Sequence, residues 1–299
     1  MADTRVLIGI VGVLGCIIVY LLCVSEIEQL KSNLKDAQRQ LKKHDIESTN
    51  SGDNADAVMK TAPADVECDY VKVASKWITD DYDPAVHVKP HFYKPMEGVC
   101  RKHQKNGKFT IVEVGRGFGG SVYFWPTWFP RATMVSLDIA DWRAVKYPKP
   151  TNPNVVLLKG SQVDNNTLTG ICTKYKDIDL IIDDASHDNP MSIKTFEMLF
   201  PCLRMGGTYI LEDIQTSYQK RPFGGSCDPT DPNTMVFYFK AMIDQIQYPD
   251  MPQANNKWFK KHRFADSITG IHVYRDLLIV DKGHNPNKHF NPGAVRSSC

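Results

Sequence analysis

Asp183-Asp184-Ala185-Ser186-His187 closes the apolar run Asp179-Leu180-Ile181-Ile182, and Glu212-Asp213 closes a second run, Gly206-Gly207-Thr208-Tyr209-Ile210-Leu211. Both runs have the length and composition of buried parallel strands. In an open parallel α/β sheet ligands bind beyond the carboxyl ends of the strands, so these acids and His187 are expected to converge in one crevice. Clustered carboxylates suit a hard divalent cation, which prefers oxygen ligands, and an imidazole can take a proton near neutral pH. A metal, a base and a substrate can meet there.

A glycine-rich turn supplies the second constellation. Thr110 to Val114 reads as the first strand and runs into Glu113-Val114-Gly115-Arg116-Gly117-Phe118-Gly119-Gly120-Ser121. Gly115, Gly117 and Gly120 fit G-x-G-x-x-G, in which glycines allow positive φ and close approach of the backbone to a nucleotide. Ser136-Leu137-Asp138 ends the second strand, and a carboxylate there can accept hydrogen bonds from ribose hydroxyls, serving a nicotinamide dinucleotide or S-adenosylmethionine equally well. The cofactor-binding candidates are therefore Glu113, Gly115, Gly117, Gly120, Ser121 and Asp138, with Asp183 facing the cofactor side or capping the next helix. Asp164, after the third strand, reads as a solvated loop acid.

The elements that position these groups alternate as in a doubly wound sheet. After strands at 110–114 and 133–137, others are expected at 155–159, 179–182 and 208–211. Pro190 opens a helix whose apolar face is Met191, Phe196, Leu199, Phe200 and Leu203, closed by Gly206-Gly207. Residues 268–274 and 277–281, separated by Arg275-Asp276, read as an antiparallel hairpin at one sheet edge. The fold class is α/β, a Rossmann-like sheet with a C-terminal antiparallel hairpin. The folded domain is expected over residues 66–283, with 284–299 a polar tail.

Val6 to Val24 is free of charge and proline over 19 residues, which is bilayer length. Residues 1–24 are read as an uncleaved signal anchor, with a cleaved signal peptide as the competitor. Residues 25–65 are read as a stem and linker, in which Ile27, Leu30, Leu34, Ala37 and Leu41 suit a short helix or a coiled coil that would make the chain a homo-oligomer. Six of the eight cysteines lie beyond the span and permit disulfides. With the sequon Asn165-Asn166-Thr167, they place the domain in the Golgi or endoplasmic reticulum lumen, whereas Lys31, Lys35, Arg39, Lys42 and Lys43 after the span favour the opposite orientation. A net charge of +2 argues against a nucleic-acid partner.

Taken together, Asp183-Asp184-Ala185-Ser186-His187, Leu199-Phe200-Pro201, Gly206-Gly207-Thr208-Tyr209-Ile210-Leu211-Glu212-Asp213 and Ile271-His272-Val273-Tyr274 resemble the macrocin and rhamnosyl O-methyltransferases, to which cephalosporin-hydroxylase-like proteins are similar, within the class I S-adenosylmethionine-dependent methyltransferases. The resemblance covers roughly residues 66–283. It implies S-adenosylmethionine and Mg2+ (or another divalent cation) as cofactors, and methyl transfer to a hydroxyl of a sugar-containing acceptor. His187 matches the family's general base, and Asp184 and Asp213 match its metal ligands. Glu212 reads as an orienter beside them, and Glu97 as a third metal carboxylate. Ala185 stands where the family usually has glycine, and Arg116 is unusual in the glycine loop.

Two other classes share these features. A nicotinamide-dependent reductase would use the same glycine loop but needs a Tyr-x-x-x-Lys pair, which residues 209–218 do not supply. A membrane scaffold that keeps a cofactor fold without catalysis would not need Asp184, His187 and Asp213 together. Trp125, Trp128 and Phe129 read as core, Lys260-Lys261-His262-Arg263 as a solvated face, and Phe223-Gly224-Gly225-Ser226-Cys227 as either a lid or a surface loop.

Overall fold

A computed structural model describes residues 68–74, 90–103, 109–117, 119–141, 149–248 and 260–285. The chain divides into two compact units, Met1–Pro63 and Ala64–Cys299, and every described residue belongs to the second. The expected anchor at 1–24 and the stem at 25–65, with the oligomer built on it, lie outside the described residues. Among the described residues no helix is long and apolar enough to cross a membrane.

The second unit is built on one seven-stranded sheet in the order β3-β2-β1-β4-β5-β7-β6. The strands are β1 (Phe109–Val114), β2 (Ala132–Asp138), β3 (Val155–Lys159), β4 (Ile178–Asp183), β5 (Leu203–Glu212), β6 (Ile268–Tyr274) and β7 (Leu277–Lys282). The first five run parallel, while β7 inserts antiparallel between β5 and β6. Helices α1 (Tyr70–Ala74), α2 (Tyr93–His103), α3 (Ser121–Trp128), α4 (Asn165–Lys174), α5 (Asn189–Leu199) and α6 (Met235–Ile246) cover its faces.

Successive strand residues point to opposite faces, and the two cores follow that period. Val112 and Val114 join Leu168, Phe196, Leu199 and Phe239 on the side of α4, α5 and α6. Phe109 and Ile111 join Tyr70, Met96, Val122 and Trp128 on the side of α1, α2 and α3. Trp125, Trp128 and Phe129 are buried in this second core, as expected. Disulfides Cys68–Cys100 and Cys172–Cys202, with Cα separations of 5.6 and 5.4 Å, pin one covering segment on each side.

Side-chain caps set where the covering helices begin. Asp164, Asp188 and Thr234 each accept a hydrogen bond from the backbone N–H three residues on, at the starts of α4, α5 and α6. Asp164 is thus a helix cap.

The strands lie where the apolar runs placed them, and the hairpin pairs as expected. Two details differ. The helix opened by Pro190 ends at Leu199 rather than at Gly206-Gly207, which lie inside β5 where its register with β4 shifts, between Leu203 and Thr208. Met191, expected on the apolar face, is 41% exposed, because the first turn of α5 overhangs the crevice instead of the core.

Candidate active site

All five parallel strands point their carboxyl ends at one cavity of about 610 Å³, within the usual range for small-molecule sites. Its wall is built from the ends of successive strands: Gly115, Arg116, Gly117 and Ser121 after β1, Leu137, Asp138 and Ile139 at β2, Gly160, Ser161 and Gln162 after β3, Asp184 to His187 after β4, and Glu212 and Asp213 at β5.

The glycine loop owes its path to three glycines of positive φ, Gly115, Gly117 and Gly119. Gly115 has φ +90°, and a Cβ there would stand 2.2 Å from the Asp184 carbonyl oxygen, so the loop and the β4 end touch through bare backbone. Gly117 has φ +46°, and a Cβ there would meet nothing within 4 Å. Gly120 instead has helical φ and caps α3, away from the cavity. Asp138 anchors the loop across β2, accepting from the Arg116 N–H at 2.9 Å and the Ala140 N–H at 2.6 Å. The Arg116 guanidinium turns inward, 5% exposed, and donates to the carbonyls of Ala140 at 2.5 Å and Leu158 at 3.0 Å, tying the ends of β2 and β3 to the loop.

Glu113 and Asp183 do not line the cavity. Glu113 is 2% exposed beneath the glycine loop, accepting from Ser121 Oγ at 2.8 Å and Trp125 Nε1 at 3.0 Å. Burial raises its pKa to about 7, opposed by those hydrogen bonds. Asp183 is the last residue of β4, 1% exposed, and accepts from the Tyr209 hydroxyl at 3.2 Å. Burial pushes its pKa up to about 7 as well. Strand alternation explains the contrast with Asp184: neighbouring acids at a strand end face opposite ways, and only the second faces the crevice. The cap expected of Asp183 belongs to Asp188.

At the mouth of the crevice Asp184, His187 and Asp213 each present one ligand atom, all within 4.8 Å of one another. His187 Nε2 lies 3.9 Å from Asp184 Oδ1 and 3.5 Å from Asp213 Oδ2. Glu212 lines the same cavity without joining this group. Glu97 falls outside both: it sits on α2 with its carboxylate 3.6 Å from Arg101, one helical turn away. The structure does not bring Glu97, expected as a third metal carboxylate, to the cluster.

The loop at 223–227 is fastened on the cluster's flank. The Phe223 carbonyl accepts from the Asn189 N–H at 2.9 Å and Asn189 Nδ2 at 2.8 Å, and its ring centroid lies 6.4 Å from that of His187. The Gly225 N–H donates to the Gln219 carbonyl at 2.9 Å. The basic run is paired rather than simply solvated, Lys261 with Asp266 and Arg263 with Glu197.

A dinucleotide-binding sheet of the dehydrogenase type orders its strands 3-2-1-4-5-6 in parallel. Here an antiparallel β7 intervenes between β5 and β6, which sets the reductase alternative aside. The solved structure of MycE methyltransferase from the mycinamycin biosynthetic pathway, in complex with Mg, SAH and mycinamycin VI, superposes with a TM-score of 0.64 at 29% identity, covering 77% of this chain and 57% of that one. This domain has the class I methyltransferase fold. No family model matches the chain. The methyltransferase-fold chain is similar to mycinamicin VI 2''-O-methyltransferase of Micromonospora griseorubida, 30% identical over 73% of this chain and 53% of that protein. It is also similar to demethylmacrocin O-methyltransferase of Streptomyces fradiae, 29% identical over 73% and 54%, and to a rhamnosyl-tetracenomycin 3'-O-methyltransferase of Streptomyces olivaceus, 30% identical over 65% and 50%. The chain spans about half the length of the curated relatives it matches.

These relatives overturn the placement in the Golgi or endoplasmic reticulum. They come from Micromonospora and Streptomyces, bacteria that have neither compartment. The disulfides and the sequon, which suggested that placement, have local structural roles in this fold. Cys172–Cys202 ties α4 to the turn before β5, and the Thr167 hydroxyl donates to the capping carboxylate of Asp164.

Several residues that build the site escaped the sequence. Gln162, 8% exposed, accepts from the Ser186 N–H at 3.0 Å and so holds the β4 loop. Asn189 and Thr216 brace the cluster from behind. Only Asn189 carried a local signal, standing directly before Pro190 at a helix start.

Proposed function

We propose that this chain is an S-adenosylmethionine-dependent, divalent-metal-assisted O-methyltransferase acting on a sugar hydroxyl of a glycoside. The observation that carries this is the meeting of a glycine-lined cavity and the Asp184, His187 and Asp213 group at one set of strand ends. Relatives named as sugar O-methyltransferases, and a structural neighbour solved with Mg and SAH, point the same way.

The residues fit both cofactors. Gly117 leaves open space where a side chain would stand, so a ligand can lie against the loop backbone. Each Asp138 oxygen accepts one backbone N–H and keeps a lone pair for a ribose hydroxyl. Asp184 and Asp213 offer hard oxygen donors to a divalent cation, with space left for water and acceptor oxygens. When bound, such a cation makes a coordinated alcohol more acidic.

His187 takes the proton of the acceptor hydroxyl as its oxygen bonds to the methyl carbon. The carbon–sulfur bond breaks, sulfur keeps the electron pair, and S-adenosylhomocysteine leaves. Positioned proton transfer of this kind contributes about 10²–10⁴ in rate. Asp184 and Asp213 flank His187 at 3.9 and 3.5 Å, so the imidazolium formed has two carboxylates beside it.

The test is a panel of glycosides incubated with methyl-labelled S-adenosylmethionine, with and without Mg2+. Label should enter a sugar-bearing acceptor only with the metal, and His187→Ala should cut incorporation about 10²–10⁴-fold while S-adenosylhomocysteine still binds. Metal-independent transfer, or full activity in both His187→Ala and Asp184→Ala, would remove the assignment.

A further inference from the structure

Two of the three clustered residues, His187 and Asp213, adopt the left-handed backbone conformation, each at φ 55°. Residues with a Cβ hold that conformation at a cost, and it persists only where the surroundings over-determine it. Here both carbonyls converge on one hydroxyl. Thr216 Oγ1 lies 2.9 Å from the His187 carbonyl oxygen and 2.9 Å from that of Asp213, and the Thr216 N–H also donates to Asp213 O at 3.1 Å. Thr216 is 3% exposed. Its hydroxyl hydrogen is shared between the two chain reversals that carry the base and a candidate ligand.

Behind Thr216 stands Asn189, wholly buried and with every polar position of its amide occupied. Nδ2 donates to the carbonyls of Thr216 at 3.2 Å and Phe223 at 2.8 Å, while Oδ1 accepts from Ser217 Oγ at 2.9 Å and the Met235 N–H at 2.8 Å. Gly225 packs directly on the same carbonyl: a Cβ there would stand 2.2 Å from Thr216 O. Thr216 is thus fixed from α5, from the start of α6 and from the 223–227 loop. It lines no part of the cavity and touches none of the reacting groups.

We infer that Thr216, braced by Asn189, is a positioning residue: by holding the His187 and Asp213 carbonyls on one hydroxyl, it sets the spacing of their side chains and with it the affinity of the cluster for a divalent cation. This rests on the proposed function, in which Asp184 and Asp213 hold that cation. Groups that orient metal ligands from behind are worth about 10–100-fold in metal affinity when removed.

The experiment uses the full chain with Mn2+ as the probe, free Mn2+ being read by electron paramagnetic resonance, and S-adenosylhomocysteine affinity measured on the same samples. Thr216→Val keeps the shape and deletes the hydroxyl. It should weaken Mn2+ binding about 10–100-fold, leave S-adenosylhomocysteine binding at the parent value, and be rescued in Thr216→Ser. Thr216→Ala, which adds no bulk, is read the same way should the valine variant fail to fold. Parent-like Mn2+ affinity in the valine or alanine variant overturns the inference. So does equal loss in Thr216→Ser, or a parallel loss of S-adenosylhomocysteine binding. A different outcome tests the reading beneath it: if Asp184→Asn and Asp213→Asn leave Mn2+ binding unchanged, the proposed metal site itself fails.

Discussion

Replacing Gly115 with alanine tests whether the glycine loop and the loop after β4 are one mechanical unit. A Cβ there would stand 2.2 Å from Asp184 O, 2.5 Å from the Ala185 Cα and 2.6 Å from the Asp184 carbonyl carbon, where ordinary contact begins at 3.4 Å. All three are backbone atoms, so no rotamer change relieves the clash, and the loop after β4 must retreat by about 1 Å. The new side chain also has to tolerate φ +90°. Strain of that kind costs about 1–3 kcal/mol and overpacking a similar amount, so urea unfolding should show a loss of about 2–6 kcal/mol. Because the retreating residue is Asp184, the folded fraction should also turn over about 100-fold more slowly, the usual effect of a 1 Å misplacement. Gly117→Ala is the internal control. Its φ is also positive, but its Cβ meets nothing, so only the conformational cost of about 1–2 kcal/mol applies. The reasoning is refuted if Gly115→Ala is no more destabilising than Gly117→Ala, or if it keeps parental Mn2+ affinity and turnover.

Other consequences follow from the same contacts. Glu113 titrates near 7 in the folded chain, above its ordinary 4.5; the native state therefore binds the extra proton between those values, and stability should fall as pH rises through that window. Its share of the slope is at most about 1.4 kcal/mol per pH unit, and urea midpoints across pH 4.5–7.5 should be flatter in Glu113→Gln; an unchanged slope would assign the dependence to Asp183. Reducing Cys172–Cys202, which closes a separation of 30 residues, should cost about 2–4 kcal/mol, read as a lower melting temperature in Cys172→Ser/Cys202→Ser with cofactor affinity retained. Arg116→Gln gives up donors to Ala140 O and Leu158 O, each worth about 1.5–3 kcal/mol for a charged group, so S-adenosylhomocysteine should bind more weakly; unaltered affinity would leave Arg116 a purely structural clamp.

The sheet was readable because burial on both faces leaves a plain mark. β4 and β5 carry apolar runs, Leu180 to Ile182 and Tyr209 to Leu211, that end in acids, and the strand-end rule then brings the acids to one crevice whatever the loops do between them. The hairpin was readable from its turn, with Arg275-Asp276 separating two strand-forming runs, and Asp276 taking the positive φ its turn demands. The order of the edge strands was not readable. Nothing within β7 says that it enters between β5 and β6; the antiparallel neighbour is chosen by the whole sheet. Nor does an acid pair at a strand end reveal which member faces the crevice. Asp183 and Asp184 have the same chemistry, but one is buried against Tyr209 and the other lines the cavity.

What brings His187 and Asp213 together in the crevice is therefore carried by residues with no reactive chemistry of their own. His187 and Asp213 come from different strand ends and meet through left-handed residues, Asp213 directly after β5 and His187 in the loop that follows β4. Glycine would make either reversal more cheaply, but it would remove the imidazole or the carboxylate that the site needs. The conformational cost of keeping a functional side chain at the corner is met by Thr216 from below and, at the β4 loop, by Gln162, which holds the Ser186 N–H beside His187. The acids and the histidine could be recognised from sequence as reactive types. Their support could not, because a buried threonine 29 residues from the histidine it steadies has no local pattern to distinguish it from core.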